Sequence, residues 1–195
     1  MENNHVENIN ETFDNEDLNN DTFDINRLQT LADAGDTDAQ HKLGLCYKIG
    51  LNVEEDVAQA AIWYEKAATQ GNASAQNSLA HCYKEGSGVE KDMSKAAAWW
   101  AKAGEQGNAE AQYNVGQCWY FGEGLEQNYE LAVRWYARAA AQKYALAQYS
   151  MGTCYENGEG VGQDLNLAIT FYRAAAAQGD KDAIAALNRY GLTNE

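Results

Sequence analysis

Four cysteines are the residues of this chain whose type and spacing first suggest chemistry. Cys46, Cys82, Cys118 and Cys154 are each separated from the next by 36 residues. Thiols at regular positions can bind a metal, form a ladder of disulfides or act as nucleophiles. The fourth explanation is that one small, buried residue was duplicated together with the segment around it.

The residues near the cysteines give the three chemical roles little support. Zinc sites commonly use CxxC-like pairs, which this chain lacks, and His41 and His81 stand at different positions relative to their cysteines. A nucleophilic cysteine needs a basic partner that lowers its pKa. Neighbouring repeated helices have axes about 8–10 Å apart, which is too far for a disulfide. We therefore predict structural cysteines, with no metal, no cofactor and no catalytic site.

The cysteines belong to a longer repeat. Residues 36–71, 72–107, 108–143 and 144–179 align without a gap, and each copy contains Ala-Gln, an apolar residue followed by Gly or Ala, the Cys, and a Gly. In the first half of each copy, apolar positions recur at i, i+4 and i+8, which predicts a helix that the glycine ends. A Gly-rich loop and a second helix follow, and the second helix carries aromatic pairs that we assign to the core.

Departures from the repeat predict local differences. Asn52 replaces a loop glycine in the first copy, and Asn tolerates positive φ better than other non-glycine residues. Lys143 replaces the glycine that ends the second helix in the other copies, so we expect a different turn there. Residues 24–35 and 180–190 each match a single helix and are predicted to cap the array.

The full pattern, A-x-A-Q-x-x-L-G-x-x-Y-x-x-G-x-G-V followed by A-x-x-W-Y-x-K-A-A-x-Q-G, resembles the SEL-one-like repeat. This repeat is a branch of the tetratricopeptide-like helical proteins, and the resemblance covers residues 36–179. It implies an all-α fold, a right-handed α/α superhelical solenoid of four 36-residue helix-turn-helix repeats with half-repeat caps. It also implies a protein-interaction adaptor. The chain has no HExxH, no Ser-x-x-Lys and no nucleophile elbow, so we predict that it is not an enzyme. One bacterial branch has two disulfide-bonded cysteines per repeat, whereas this chain has one, so those bridges do not transfer.

The charge of the chain narrows the classes of partner. The net charge of −15 disfavours nucleic acid, whose phosphates require a basic surface. No apolar run approaches the roughly 20 residues of a membrane span, and no signal peptide is evident, so we expect no membrane association and a cytoplasmic location.

The first 24 residues carry eight acids and no Lys or Arg, which leaves −15 + 8 = −7 for the rest. We predict a disordered acidic tail over residues 1–23 and a repeat domain over residues 24–195. The tail contains Thr-Phe-Asp twice, around Phe13 and Phe23. The repetition is either fortuitous, with a helix N-cap at the second copy, or marks a short docking peptide.

In the family that the chain resembles, variable positions of the first helices usually line a concave groove. These positions change here from basic and mixed in the first two copies to largely aromatic in the third, with Tyr149 in the fourth, and aromatic residues are typical interface anchors. Copy three, backed by Tyr149, is expected to make the strongest contacts, unless Tyr120 and Phe121 merely pack against a loop or the next repeat. The predicted partner-binding residues are Tyr113, Gln117, Tyr120, Phe121, Tyr149, His41, His81, Lys48 and Lys84.

Two functions are compatible with this surface. The first is a non-catalytic, monomeric adaptor that binds a protein or peptide in the groove. The alternative is an inhibitor, such as a bacterial immunity protein, that neutralises a partner enzyme or toxin through an acidic and aromatic surface. An acidic decoy should lose affinity steeply as salt is added, whereas an aromatic groove should not.

Overall fold

The computed structural model describes residues 24–192, and this part of the chain contains ten α-helices and no strand. Each repeat copy supplies two helices, and one further helix lies at each end. In chain order the helices are α1 (Ile25–Asp33), α2 (Thr37–Ile49), α3 (Val57–Thr69), α4 (Ala73–Glu85), α5 (Met93–Glu105), α6 (Ala109–Phe121), α7 (Tyr129–Ala141), α8 (Ala145–Asn157), α9 (Leu165–Ala176) and α10 (Lys181–Arg189). Every one of these helices is too short or too polar to cross a bilayer.

The helices fall into two compact units. The N-terminal unit ends at Lys91 and contains α1–α4, and within it each helix packs against the next in sequence. The C-terminal unit begins at Asp92 and contains α5–α10, which also pack sequentially. The apolar face of each helix is therefore covered by its neighbours in the chain, as expected for a repeat protein.

Capping side chains set where most helices begin. Asp36, Asn72 and Asn108 each accept a hydrogen bond, 2.8 Å long, from the backbone N–H three residues later. This bond satisfies one of the donors that a helix N-terminus leaves without a partner. At the equivalent position α8 has Tyr144, which forms no side-chain cap bond. The tyrosine is thus free of the capping role that the polar residues perform.

A buried glutamine in every copy joins consecutive helices. Gln40, Gln76, Gln112 and Gln148 are between 4% and 7% exposed. Each side-chain amide donates to the backbone carbonyl of the residue eight positions earlier. Burying an amide without a hydrogen bond costs free energy. The hydrogen bond from glutamine to carbonyl therefore fixes how the first helix of each copy packs on the second helix before it.

The turn at Lys143 corrects a prediction. Lys143 adopts φ +64°, and the Tyr144 N–H donates to the Ala139 carbonyl at 3.1 Å, as the Asn72 N–H does to Ala67. The predicted difference is therefore wrong, because the lysine copy forms the same turn. A Cβ added at the equivalent Gly71 would meet no atom within 4 Å, so a side chain fits there and the cost is backbone strain alone.

Candidate partner-binding site

The four cysteines lie inside the repeats, where the structure shows them buried and not in disulfides. Burial raises the pKa of Cys46 and Cys154 to about 12 and that of Cys82 to about 11. Thiols of this kind stay protonated and unreactive at neutral pH. Between residues 24 and 192 no cluster of three or more His, Cys, Asp or Glu side chains has the arrangement of a metal site.

A pocket of about 220 Å³ opens on the C-terminal unit and brings together the aromatic residues that the sequence singled out. Its walls come mainly from α6 and α8, with single residues from α7 and α10. It is lined by Tyr113, Gln117, Tyr120, Phe121, Tyr136, Leu146, Tyr149, Ser150, Thr153 and Asp182.

The floor of the pocket is an aromatic cluster around Tyr113. The Tyr113 ring centroid lies 5.9 Å from that of Tyr136 and 5.5 Å from that of Tyr144, distances typical of packed aromatic pairs. Gly116 makes room for this cluster, because a Cβ there would lie 2.5 Å from the Tyr136 ring. The Gln117 side chain donates to the Tyr113 hydroxyl. Burial raises the pKa of Tyr113, so the phenol remains protonated.

One wall of the pocket consists of Tyr120 and Phe121 at the end of α6. Their rings meet edge to face with centroids 4.8 Å apart, and the Tyr120 hydroxyl donates to a carboxylate oxygen of Glu159 in the loop that follows α8. Tyr120 therefore does pack against the next repeat, as the more conservative interpretation of the sequence expected, while it also lines the pocket. Phe121 is 60% exposed, which makes it the most exposed of the large apolar side chains that the structure describes.

The opposite wall is held in place by a carboxylate network. The Tyr149 ring lies 5.6 Å from the Tyr172 ring. Glu156, on the same helix as Tyr149, accepts hydrogen bonds from the hydroxyls of Tyr172 and Tyr190 and pairs with Arg189 at 3.2 Å. Burial alone would raise the pKa of Glu156, but these donors outweigh it and lower the pKa. The network ties α8 to α9 and α10, and it thereby positions the Tyr149 side of the pocket.

His41, one of the predicted partner-binding residues, lies largely inside the N-terminal unit. It is 7% exposed, its Nε2 is 3.1 Å from the Ser78 hydroxyl, and its ring lies 5.6 Å from the Tyr64 ring. Burial lowers its pKa to about 4, so the imidazole is neutral at pH 7. Little of its side chain is therefore available to a partner, because packing and a hydrogen bond occupy it.

The remaining predicted residues are not among those that line the aromatic pocket. Lys48 and His81 are half-buried and Lys84 is exposed, all three in the N-terminal unit, and none of them lines the pocket. Phe13 and Phe23 lie outside the described residues.

The N-terminal unit has its own, larger pocket with a different character. Its volume is about 530 Å³, and it is lined by Tyr47, Val53 and the acidic run Glu54, Glu55 and Asp56. The Asp56 side chain caps α3 through the N–H groups of its first turn. A single ring and three acids give this pocket little of the aromatic surface found in the C-terminal unit.

Five of the ten residues that line the pocket are absent from the predicted partner-binding set, namely Tyr136, Leu146, Ser150, Thr153 and Asp182. Tyr136 was assigned to the core, and it is indeed 1% exposed, yet its ring forms part of the floor. Asp182 lies in the capping helix α10, where the repeat was not continued. It stands at the position of Asp38 and Glu110 in the earlier copies, so extending the 36-residue register by one more helix would have found it.

Comparisons with known proteins identify the family to which this architecture belongs. No curated protein sequence matches the chain. Among solved structures, c5321, a protective antigen present in uropathogenic Escherichia coli strains that displays an SLR fold, is 34% identical with a TM-score of 0.82 over 84% of this chain. A Sel1 repeat protein from Oxalobacter formigenes is 31% identical with a TM-score of 0.78 over 85% of it. The chain spans 35% and 48% of the length of these two relatives.

A more distant likeness is shared with the immunity protein Pa5087 from Pseudomonas aeruginosa. It is 24% identical, with a TM-score of 0.51 over 82% of this chain and 59% of that one, and it shows the fold alone. The Sel1 repeat itself matches four times, at residues 37–72, 73–108, 109–144 and 145–180. Sel1 repeat proteins are generally protein-interaction scaffolds. Four consecutive matches, the paired helices and the capped ends together show that this chain is a member of the Sel1 repeat family of all-α helical solenoids.

Proposed function

We propose that the chain is a non-catalytic adaptor that binds a protein or peptide at the aromatic pocket of the C-terminal unit. The observation that carries this proposal is the clustering of Tyr113, Tyr120, Phe121 and Tyr149 around one opening, with Phe121 60% exposed. Aromatic side chains supply much of the binding energy at protein interfaces, because they bury a large rigid surface at a small entropic cost. An exposed ring beside a pre-formed cavity is suited to that role.

The size and lining of the pocket favour one anchoring side chain of a larger partner. Sites for small molecules commonly enclose roughly 300–1,000 Å³, and this pocket has about 220 Å³. Polar groups from Gln117, Ser150, Thr153 and Asp182 surround the rings. Such groups give direction to the contact, while the rings exclude water from it.

Selection of random peptides on the full chain tests the proposal. We expect selected peptides to bind saturably, and Phe121→Ala and Tyr149→Ala each to weaken binding tenfold or more in a fluorescence-polarisation titration. The matched control is Leu167→Ala, which removes a side chain that is 41% exposed on α9 of the same unit and outside the pocket lining. It should change the affinity by less than about twofold. Wild-type affinity in both aromatic variants would contradict the proposal.

The inhibitor or immunity alternative is favoured by the net charge of −15, eight charges of which lie in the first 24 residues. Salt separates the two functions. Contacts between many exposed charges are screened once the Debye length, about 10 Å at 0.1 M, falls below their separation. An adaptor anchored by aromatic rings should lose less than about fivefold in affinity between 50 and 500 mM NaCl. A steep loss that is insensitive to Phe121→Ala would favour the acidic decoy.

A further inference from the structure

Several polar atoms of the aromatic pocket are available as hydrogen-bond acceptors. The Gln117 amide donates to the Tyr113 hydroxyl, which leaves the Gln117 carbonyl oxygen facing other partners. The Tyr120 hydroxyl donates to Glu159, and the Thr153 hydroxyl donates to the Tyr149 carbonyl at 3.3 Å. With these three donors engaged, the Gln117 carbonyl oxygen, the phenol oxygens and the Asp182 carboxylate can accept hydrogen bonds from a ligand. A group rich in N–H donors fits such a surface best.

The charge of the pocket also favours a ligand that carries hydrogen-bond donors, in particular a positively charged one. Asp182 is the one charged residue among the ten that line it, and it is exposed. The negative charges of Asp180 and Asp182 act on Tyr113 at the pocket floor. Like burial, they raise the pKa of its phenol. The faces of Tyr and Phe rings are themselves negative, and they attract a cation that lies within about 6 Å of the ring centre.

We propose that the aromatic pocket of the C-terminal unit receives a positively charged side chain, Arg or Lys, of the partner protein. The aliphatic stem of this side chain packs against Phe121 and Leu146, its cationic head lies over the tyrosine rings, and Asp182 pairs with it at the rim. Arg and Lys are donor-only groups with an apolar stem, so both the acceptors and the rings are used. This inference rests on the proposed function and names the chemistry that the partner must present.

The test uses a peptide selected from a random library on the full chain. Each Arg of the peptide is replaced in turn by citrulline and each Lys by norleucine, two uncharged residues of similar shape. We expect one of these replacements to weaken binding tenfold or more. Asp182→Asn should weaken binding of the original peptide threefold to tenfold, and should have little further effect on the uncharged peptide. Glu105→Gln, which removes one exposed acid of the same unit outside the pocket lining, should change the affinity by less than about 1.5-fold.

The outcomes separate this inference from the function on which it rests. If peptides bind, depend on Phe121 and need no basic residue, the pocket is a docking site but the inference is wrong. Selected peptides of acidic and aromatic composition, similar to the Thr-Phe-Asp segments of the chain itself, would also overturn it. If binding is insensitive to both Phe121→Ala and Tyr149→Ala, the proposed function fails as well. The substituted peptides keep the test valid even if Asp182→Asn disturbs the start of α10.

Discussion

One repeat position shows how the two units of this chain differ. His41 and Asn77 occupy it in the N-terminal unit, and each is 7% exposed. Tyr113 and Tyr149 occupy it in the C-terminal unit, where both are half-buried and line the pocket. The rings of His41, Tyr113 and Tyr149 lie at nearly the same distance, 5.6, 5.9 and 5.6 Å, from the tyrosine of the helix that follows.

The backbone framework is therefore the same in both units, and the length of one side chain decides what the position does. A short polar side chain ends inside the repeat and must find a hydrogen bond there, as His41 does with Ser78. A tyrosine packs its ring in the same place but extends far enough to reach a surface. A repeat protein can thus acquire a binding surface at a core-adjacent position without changing its fold.

The largest expected effect is on the reactivity of the thiols. It tests whether the cysteines of the two units are equally protected from solvent. Burial raises the pKa of Cys46 and Cys154, one in each unit, from 9.0 to about 12. A rise of three pKa units lowers the thiolate fraction at neutral pH about a thousandfold. We expect both thiols to react with a maleimide on the order of a thousandfold more slowly in the native chain than in denaturant, as followed by mass spectrometry of peptides.

Unequal rates would be informative. If Cys46 and Cys82 react rapidly while Cys118 and Cys154 stay protected, the N-terminal unit opens separately and the shared framework does not mean shared stability. A mass deficit that indicates disulfides would contradict the assignment of the cysteines as buried, reduced thiols.

The next effect concerns acid stability and is specific to His41. Burial, partly offset by the charge of Asp38 and reinforced by Lys42, lowers its pKa from 6.5 to about 4. Above pH 6.5 the imidazole is neutral in both the folded and unfolded states. As the pH falls from 6.5 to 4, the unfolded chain binds a proton that the folded chain rejects, so the free energy of unfolding decreases, by up to about 3 kcal/mol. Denaturant titrations between pH 7 and 4 measure this loss.

His41→Asn sharpens that result, because Asn is the residue that the second copy carries at this position. The variant should lose less stability than the wild type between pH 6.5 and 4, although the carboxylates still titrate in both. Identical pH dependence of the wild type and His41→Asn would show that the histidine is not held neutral.

The fold could be predicted from the sequence because of the repeat. All four copies have helix starts, helix-ending glycines and apolar residues at the same positions. The aromatic side chains of the pocket followed from the same register, since Tyr113 and Tyr149 stand at one offset. The burial of His41 did not follow, because a stripe of positions does not reveal how deeply a particular side chain is enclosed. The turn at Lys143 was misjudged because glycine is preferred at positive φ but is not required where a Cβ has open space.

The smallest expected effect is at the lysines, and it tests whether binding is confined to the C-terminal unit. Lys48 is half-buried and Lys84 is exposed, and both lie outside the aromatic pocket. A charge at an exposed position contributes less than about 1 kcal/mol to a contact, because water and salt screen it. Lys48→Ala and Lys84→Ala should therefore shift the affinity of a selected peptide by less than about threefold, whereas Phe121→Ala shifts it tenfold or more. Circular dichroism should show unchanged helix content in all of these variants. If the lysine variants nevertheless lose more affinity than Phe121→Ala, the partner binds the N-terminal unit. The difference between the two copies with tyrosine and the other two would then be a matter of packing alone.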